Sequence, residues 1–352
     1  MPLRPLYGHE PVRTRLAAAT AAGRLPQALL FEGPPGVGKQ RLALWLAEGV
    51  VCEGDERQAK GEGCGACQPC KLVLNLSHPD VHWFVPVEIT RKGADADKQV
   101  ELVQDALVEE MAARREQPLY QPPSGLASHG IASVRLLLRQ LHLTPALARR
   151  KVFIVGDADR LVPQRANPDA ANALLKALEE PPADTIFVLT SSQPDALPAT
   201  ILSRVVRVRV ARLPDSVVTD FAQRELANAS KRELSQAVSS AEGCIGRLLA
   251  SDIDETLGNR DVVDGFLTAT RGSPAHRYAV ALAQQPFQAR GGFTDLLDGL
   301  LERLRAAARA GKDTGAVVAA ISRVLDARGM AQGNVNPQLL AAVLADEIWS
   351  NG

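Results

Sequence analysis

Short apolar runs alternate with longer stretches of helical periodicity over the first two thirds of the chain. Ala28-Leu29-Leu30-Phe31-Glu32, Val81-His82-Trp83-Phe84-Val85, Val152-Phe153-Ile154-Val155, Thr185-Ile186-Phe187-Val188-Leu189 and Val205 to Val210 read as five strands. An amphipathic stretch at about 9–22 precedes the first, and the first four are separated by helical segments, including a helical pattern from Arg41 to Val51. Such alternation predicts an α/β core with a parallel sheet, because crossover helices hide both faces of the sheet from water. A helix over 170–180 has Ala171, Leu174, Leu175 and Leu178 on one face and stops at Pro181-Pro182. Residues 88–116 form a charged helical pattern with Val100, Val103, Leu107 and Met111 near one face. Together with the loop that follows, they read as an insertion at about 88–125, ahead of a helix that begins near Ile131.

Past Leu213-Pro214 the strand signals stop. Asp215 to Ser251 and Asp261 to Trp349 are Ala/Leu-rich with helical spacing, broken at Gly243, Gly272-Ser273-Pro274 and Gly291-Gly292. The division expected is an α/β domain at 1–212, a small helical domain at 213–252 and an all-α domain at 253–352. A chain of 352 residues, 46% hydrophobic and 23% charged, is long enough for several cores. Lys+Arg and Asp+Glu both total 40, so any basic surface must be local. The N-terminal residues lack the apolar run of a signal peptide and no stretch of about 18 apolar residues spans a bilayer, so no membrane partner and a cytoplasmic location are expected.

Gly33-Pro34-Pro35-Gly36-Val37-Gly38-Lys39-Gln40 follows a strand and opens a helix, which is the context a phosphate-binding loop requires. Glycines let backbone N–H groups converge on a phosphate at a helix N-terminus, and Lys39 supplies a point charge. The last position departs from the pattern: Gln40 replaces the Ser/Thr whose hydroxyl ligates Mg2+. Asp157, after the apolar strand at 152–155, is placed to meet the metal. Ala158 stands where an ATPase of this kind carries the glutamate that activates water, and a methyl takes no proton. Asp159 is expected to turn away from the phosphate.

Cys52, Cys64, Cys67 and Cys70 have the spacing C-x11-C-x2-C-x2-C in a Gly-rich stretch. In a reducing compartment this points to a metal rather than disulfides, and four thiolates with no open position make a structural site. Zinc is expected ahead of an iron–sulfur cluster. Cys244 reads as a small buried hydrophobe, and His78 and His82 as ordinary strand-entry residues. Arg135, Arg139, Arg149, Arg150 and Lys151 form a basic stretch without acidic residues, equally consistent with a solvated surface and with contact to a nucleic-acid backbone. Arg207 and Arg209 alternate with Val206, Val208 and Val210, as one solvated strand face opposite one buried face would.

Three further segments are specific: Asn172-Ala173-Leu174-Leu175-Lys176-Ala177-Leu178-Glu179-Glu180-Pro181-Pro182, Thr185-Ile186-Phe187-Val188-Leu189-Thr190, and Leu197-Pro198-Ala199-Thr200-Ile201-Leu202-Ser203-Arg204. Together they resemble the γ/τ and δ′ subunits of the bacterial DNA polymerase III clamp loader, of the AAA+ superfamily. The likeness covers residues 1 to about 250 and extends weakly to Asn336-Pro337-Gln338-Leu339-Leu340. It implies an α/β AAA+ module with an inserted zinc module, then a helical lid and an all-α collar domain. It also implies that Arg204, with Ser203, reaches a neighbour's ATP as an arginine finger in trans. Val205 stands where the family usually has cysteine. Lys39 resembles the γ/τ pattern, whereas Gln40, Ala158 and Gly246 resemble δ′; at Gly246 the ATPase subunits carry a sensing arginine, and Arg247 is adjacent.

The resemblance thus implies a δ′ subunit that loads a sliding clamp onto primed DNA, with γ/τ and δ subunits as partners and with ATP or ADP a possible ligand of the degenerate loop. Its own ATPase activity would be absent, and nucleotidyl transfer would belong to another subunit of the polymerase. Two alternatives stand beside it. One is an active γ/τ-like ATPase, suggested by Lys39 and Asp157; the other is a zinc-dependent DNA-binding module, which leaves Ser203-Arg204 unexplained.

Overall fold

The structure, a computed structural model, describes residues 3–55, 60–89, 95–116, 127–161, 169–225, 231–248, 253–284, 292–309, 311, 314–331 and 335–349. Two compact units divide the chain, one drawn from residues 1–249 and the other chiefly from 250–352.

In the first unit α1 (Glu10–Ala21) precedes β1 (Ala28–Glu32), α2 (Lys39–Val51), α3 (Gln68–Leu74) and β2 (Val81–Phe84). Then come α4 (Ala96–Glu116), α5 (Ile131–Leu141), β3 (Lys151–Val155), α6 (Asp169–Glu179), β4 (Thr185–Ser191), α7 (Ala199–Leu202) and β5 (Val206–Arg209). The five strands form one sheet in the order β2-β3-β4-β1-β5, all pairs parallel. Alternate residues feed two cores. Leu30, Phe153, Val155, Phe187 and Leu189 pack on one face with α5 and α6, and Leu29, Phe31, Val152, Ile154, Ile186 and Val188 pack on the other with α1 and α2. Continuous apolar strands are therefore what this sheet needs, as their pattern predicts.

The insertion leaves and rejoins the module at one point, where Val87 and Ser128 form an antiparallel bridge with N···O distances of 3.3 and 3.2 Å. Within it, α4 buries Val100 and Val103 against the core of the sheet, and Leu107 and Met111 pack on the same core. The expected loop at 117–125 lies outside the described residues.

One strand-face expectation and one member of the expected basic stretch need correction. β5 is an edge strand, so Val206 is half exposed beside Arg207 and Arg209, and only Val208 and Val210 turn inward. Lys151 is buried, with its ammonium donating to the carbonyls of Leu141 and Leu143, so it is a structural cation. The loop before it is held by Asp80, whose carboxylate accepts the N–H groups of Ala146, Leu147 and Ala148 at 2.6–2.7 Å.

The first unit continues through α8 (Asp215–Glu225), α9 (Lys231–Ala241) and a 3-10 turn at Ile245–Leu248, with a small core of Leu213, Val218, Phe221, Val238 and Leu248. The second unit is helical throughout its described residues: α10 (Ile253–Thr270), α11 (Pro274–Leu282), α12 (Gly292–Arg309), α13 (Thr314–Ala331) and α14 (Pro337–Glu347). Phe266, Leu297, Leu300, Val324, Leu344 and Ile348 lie in its core. Its first helix begins at Ile253, ahead of the expected Asp261, and breaks at Gly272-Ser273 as expected. No described helix is long and apolar enough to cross a membrane.

Candidate functional site

The glycine-rich loop joins the C-terminal end of β1 to the N-terminus of α2. Gly36 and Gly38 have φ of 76° and 101°, a backbone region that side chains rarely adopt, and Gly38 caps the helix, which starts at Lys39 rather than Arg41. Gly33 passes so close to Val210 that a β-carbon would lie 2.3 Å from its carbonyl oxygen.

Carbonyl groups of this loop are closed off from within. The Lys39 ammonium donates to Gly33 O and Pro34 O at 2.9 Å and to Ser192 Oγ at 2.8 Å. Lys39 is only 4% exposed, and burial lowers its pKa against the opposing pull of Asp157 and Asp159. Gly36 O accepts the Gly246 N–H at 2.8 Å, and Val37 O accepts from His9 Nε2 at 2.9 Å. A phosphate that recruited Lys39 would have to take it from three oxygen partners.

The corner where the sequence leads to an expectation of Mg2+ is built from Gln40, Asp157 and a residue of the insertion. Gln40 Nε2 donates to Asp157 Oδ2 at 3.0 Å, while Gln40 Oε1 accepts from Arg114 Nη1 at 3.4 Å. A carboxylate on one side and a guanidinium on the other fix the orientation of the amide. Gly156 makes room for it, since a β-carbon there would meet the Gln40 amide at 2.8 Å. Asp157 has a φ of 50°, and burial, then the Asp159 charge, raise its pKa against Lys39, Arg160 and Arg114. Arg114 is 2% exposed and stacks its guanidinium 4.1 Å from the centre of the Trp83 ring.

Ala158 is fully buried in the sheet core. Asp159 accepts from Ser191 Oγ at 2.6 Å and Ser192 N–H at 3.2 Å, so its carboxylate organises the end of β4. Gly246 is the residue on which the 3-10 turn meets the loop, and a β-carbon there would lie 2.7 Å from Gly36 Cα. Arg247 pairs with Glu242 at 3.2 Å.

Ser203 and Arg204 belong to a different place. They follow α7 and precede β5, at the N-terminal edge of the sheet, whereas the loop and Asp157 lie at the C-terminal ends of β1 and β3. Arg204 is partly exposed, paired with Glu179 at 2.6 Å and donating to Thr200 O at 2.8 Å and Ser203 Oγ at 3.1 Å.

The four cysteines converge. Their sulfurs all lie within 4.8 Å of one another, with Cys52–Cys67 and Cys64–Cys70 separations of 3.9 Å. A tetrahedral ion with metal–sulfur bonds of about 2.3 Å sets sulfur–sulfur distances near ~3.8 Å, so this quartet can hold a metal ion. Cys52 closes α2, Cys67 caps α3 and Cys70 sits within it. The N–H groups of Gly54 and Cys64 donate to Cys52 Sγ and that of Cys67 to Cys64 Sγ, each at 3.3 Å, which favours thiolates. His78 and His82 stay outside: His78 Nδ1 accepts the Asp80 N–H, and His82 stacks on Phe153. Cys244 is buried in the core, as expected.

Three site residues escape a reading of the sequence: His9, Ser192 and Arg114. The first two carry no local signal. Arg114 does, because Val100, Val103, Leu107, Met111 and Arg114 continue one another at helical spacing, so the arginine falls on the buried stripe.

A profile described as "DNA polymerase III, delta subunit" matches residues 8–214. Among curated proteins, subunit delta′ of Bacillus subtilis is 32% identical over 197 residues, covering 56% of this chain and 46% of that protein. Subunit delta′ of Escherichia coli is 30% identical over 237 residues (67% of this chain, 57% of that one), and subunit tau of Salmonella typhimurium is 31% identical over 208 residues (59% and 25%). The matched region thus spans between a quarter and somewhat over half the length of these relatives. With the match running through the phosphate loop, the cysteine quartet and Ser203-Arg204, the chain belongs to the DNA polymerase III delta subunit family.

Proposed function

We propose that this chain is the δ′ subunit of a clamp loader, which with γ/τ and δ subunits opens a sliding clamp and places it on primer-template DNA in the cytoplasm. In this reading residues 1–212 are an AAA+ module, 213–252 a lid and 253–352 a collar through which subunits assemble. The chain hydrolyses no ATP itself and completes a neighbour's site through Arg204, positioned by Ser203. The relatives named delta′ and the family match support the role.

The observation that carries the division of labour is the placement of Arg204. β5 pairs in parallel with β1, and its four residues span roughly 13 Å at ~3.3 Å each. Arg204 precedes that span and the phosphate loop follows it, so the finger faces away from its own loop and suits only a second subunit. The loop supports the same reading. Its lysine is held by Gly33, Pro34 and Ser192, and the position for a water-activating carboxylate is a methyl buried in the core. ATP or ADP could enter at Gly33 to Gln40 only by displacing those bonds.

The cysteine quartet holds structural Zn2+, tying the end of α2 to the start of α3. An independent DNA-binding role is disfavoured by the basic residues themselves: Lys151 is buried, Arg139 pairs with Asp97, and Arg207 pairs with Glu32 at 2.7 Å. The test is ATP turnover by the purified chain. No turnover above background is expected, with Lys39→Ala indistinguishable from wild type; turnover abolished by Lys39→Ala would establish an active γ/τ-like motor instead.

A further inference from the structure

The corner where a phosphate loop of this kind binds Mg2+ has the wrong chemistry for a cation. Gln40 presents its N–H2, not its oxygen, to Asp157, and its oxygen is turned to the Arg114 guanidinium. A metal would need both oxygens, and it would meet a fixed positive charge held by the Trp83 ring and by Glu110 at 3.4 Å. We propose that the helical insertion carries a built-in replacement for the metal: the Arg114 guanidinium, lying beside Gln40 and close enough to Asp157 to act on it by charge, takes the place of the cation and makes this site reject Mg2+.

Three independent features of the chain converge on that assignment. Replacing a Ser/Thr hydroxyl by the longer Gln40 amide supplies a side chain that reaches from the loop to both Asp157 and α4. Gly156 leaves the space that the amide occupies. The buried stripe of α4 ends in Arg114, anchored by Val100 and Val103 in the core, so the guanidinium is delivered by a packed helix rather than a free side chain. The insertion thereby gains a role: it supplies a permanent charge of the same sign as the ion it displaces, and Asp157 keeps a cationic neighbourhood without a dissociable ligand. This inference concerns metal selection at residues 40, 114 and 157 and does not depend on Arg204.

The experiment is thermal unfolding of the full chain with millimolar ADP, in Mg2+ and in EDTA, for wild type, Gln40→Thr and Gln40→Thr/Arg114→Met. Wild type and Gln40→Thr are expected to show the same ADP shift, including none, in both conditions. The double variant, which regains a hydroxyl and loses the resident cation, is expected to show an extra rise of roughly 5 °C with Mg2+. A Mg2+-dependent shift in wild type or in Gln40→Thr overturns the proposal, and so does a folded double variant whose shift ignores Mg2+. If the double variant lacks a cooperative transition, Gln40→Thr/Arg114→Gln takes its place: a Mg2+-dependent rise supports the role of Arg114 and its absence in the folded variant overturns it.

Discussion

Gly246 donates its N–H to the carbonyl of Gly36 at 2.8 Å, and a β-carbon on Gly246 would lie 2.7 Å from Gly36 Cα. Residues far apart in the chain thus meet backbone to backbone, and the phosphate loop is braced by the turn that follows α9. Only glycine permits that approach.

Gly246→Ala is therefore expected to destabilise the chain by about 1–3 kcal/mol, since the added methyl meets backbone atoms that cannot rotate away. Denaturant unfolding should show a lower midpoint with an unchanged slope. Gly130→Ala, where a β-carbon meets nothing within 4 Å, serves as the control.

The quartet of Cys52, Cys64, Cys67 and Cys70 predicts one zinc per chain by elemental analysis. Cys70→Ser is the sharpest variant, because Cys70 is wholly buried in α3 and its loss leaves three thiols around the ion. Zinc content should fall well below one per chain, and the melting temperature should drop, as it should on chelation of wild type. A zinc-free wild-type protein of undiminished stability would remove the metal from the account.

Acid sensitivity follows from two histidines, His129 buried and His82 half-buried. Burial pushes the pKa of both His82 and His129 down to about 4; for His129 the Gly156 carbonyl 2.6 Å from Nε2 opposes this only in part. Each binds fewer protons folded than unfolded, where its pKa is near ~6.5. Stability is accordingly full above about pH 6.5 and falls as pH drops toward about 4, with a slope approaching about 2.7 kcal/mol per pH unit from the pair. His129→Gln keeps a donor for the Gly156 carbonyl without titrating there, and should remove about half of that slope in unfolding free energy measured against pH.

Much of this site is legible in the sequence wherever one segment carries the whole signal. The runs at 28–32, 152–155 and 185–189 become β1, β3 and β4 because each is apolar on both faces, and the phosphate loop and cysteine quartet are set by spacing within one stretch. What depends on distant packing is not legible. The Arg114–Gln40–Asp157 relay joins three separate elements, and the tie of Lys39 to Ser192 is visible only once β1 and β4 are neighbours. Lys151 reads as part of a basic patch until the carbonyls of Leu141 and Leu143 are seen to bury its charge. Val206 reads as core until β5 is seen to be an edge.

The most direct test of the central claim is ATP hydrolysis by a complex reconstituted from this chain with candidate γ/τ and δ subunits, clamp and primed DNA, comparing wild type, Arg204→Ala and Lys39→Ala. Arg204→Ala should depress turnover at the one neighbouring site it serves by roughly a thousandfold, lowering the total and impairing clamp loading, while Lys39→Ala should leave both unchanged. Unaltered turnover with Arg204→Ala, or turnover abolished by Lys39→Ala alone, would contradict the assignment of this chain as a non-hydrolysing subunit that completes its neighbour's site.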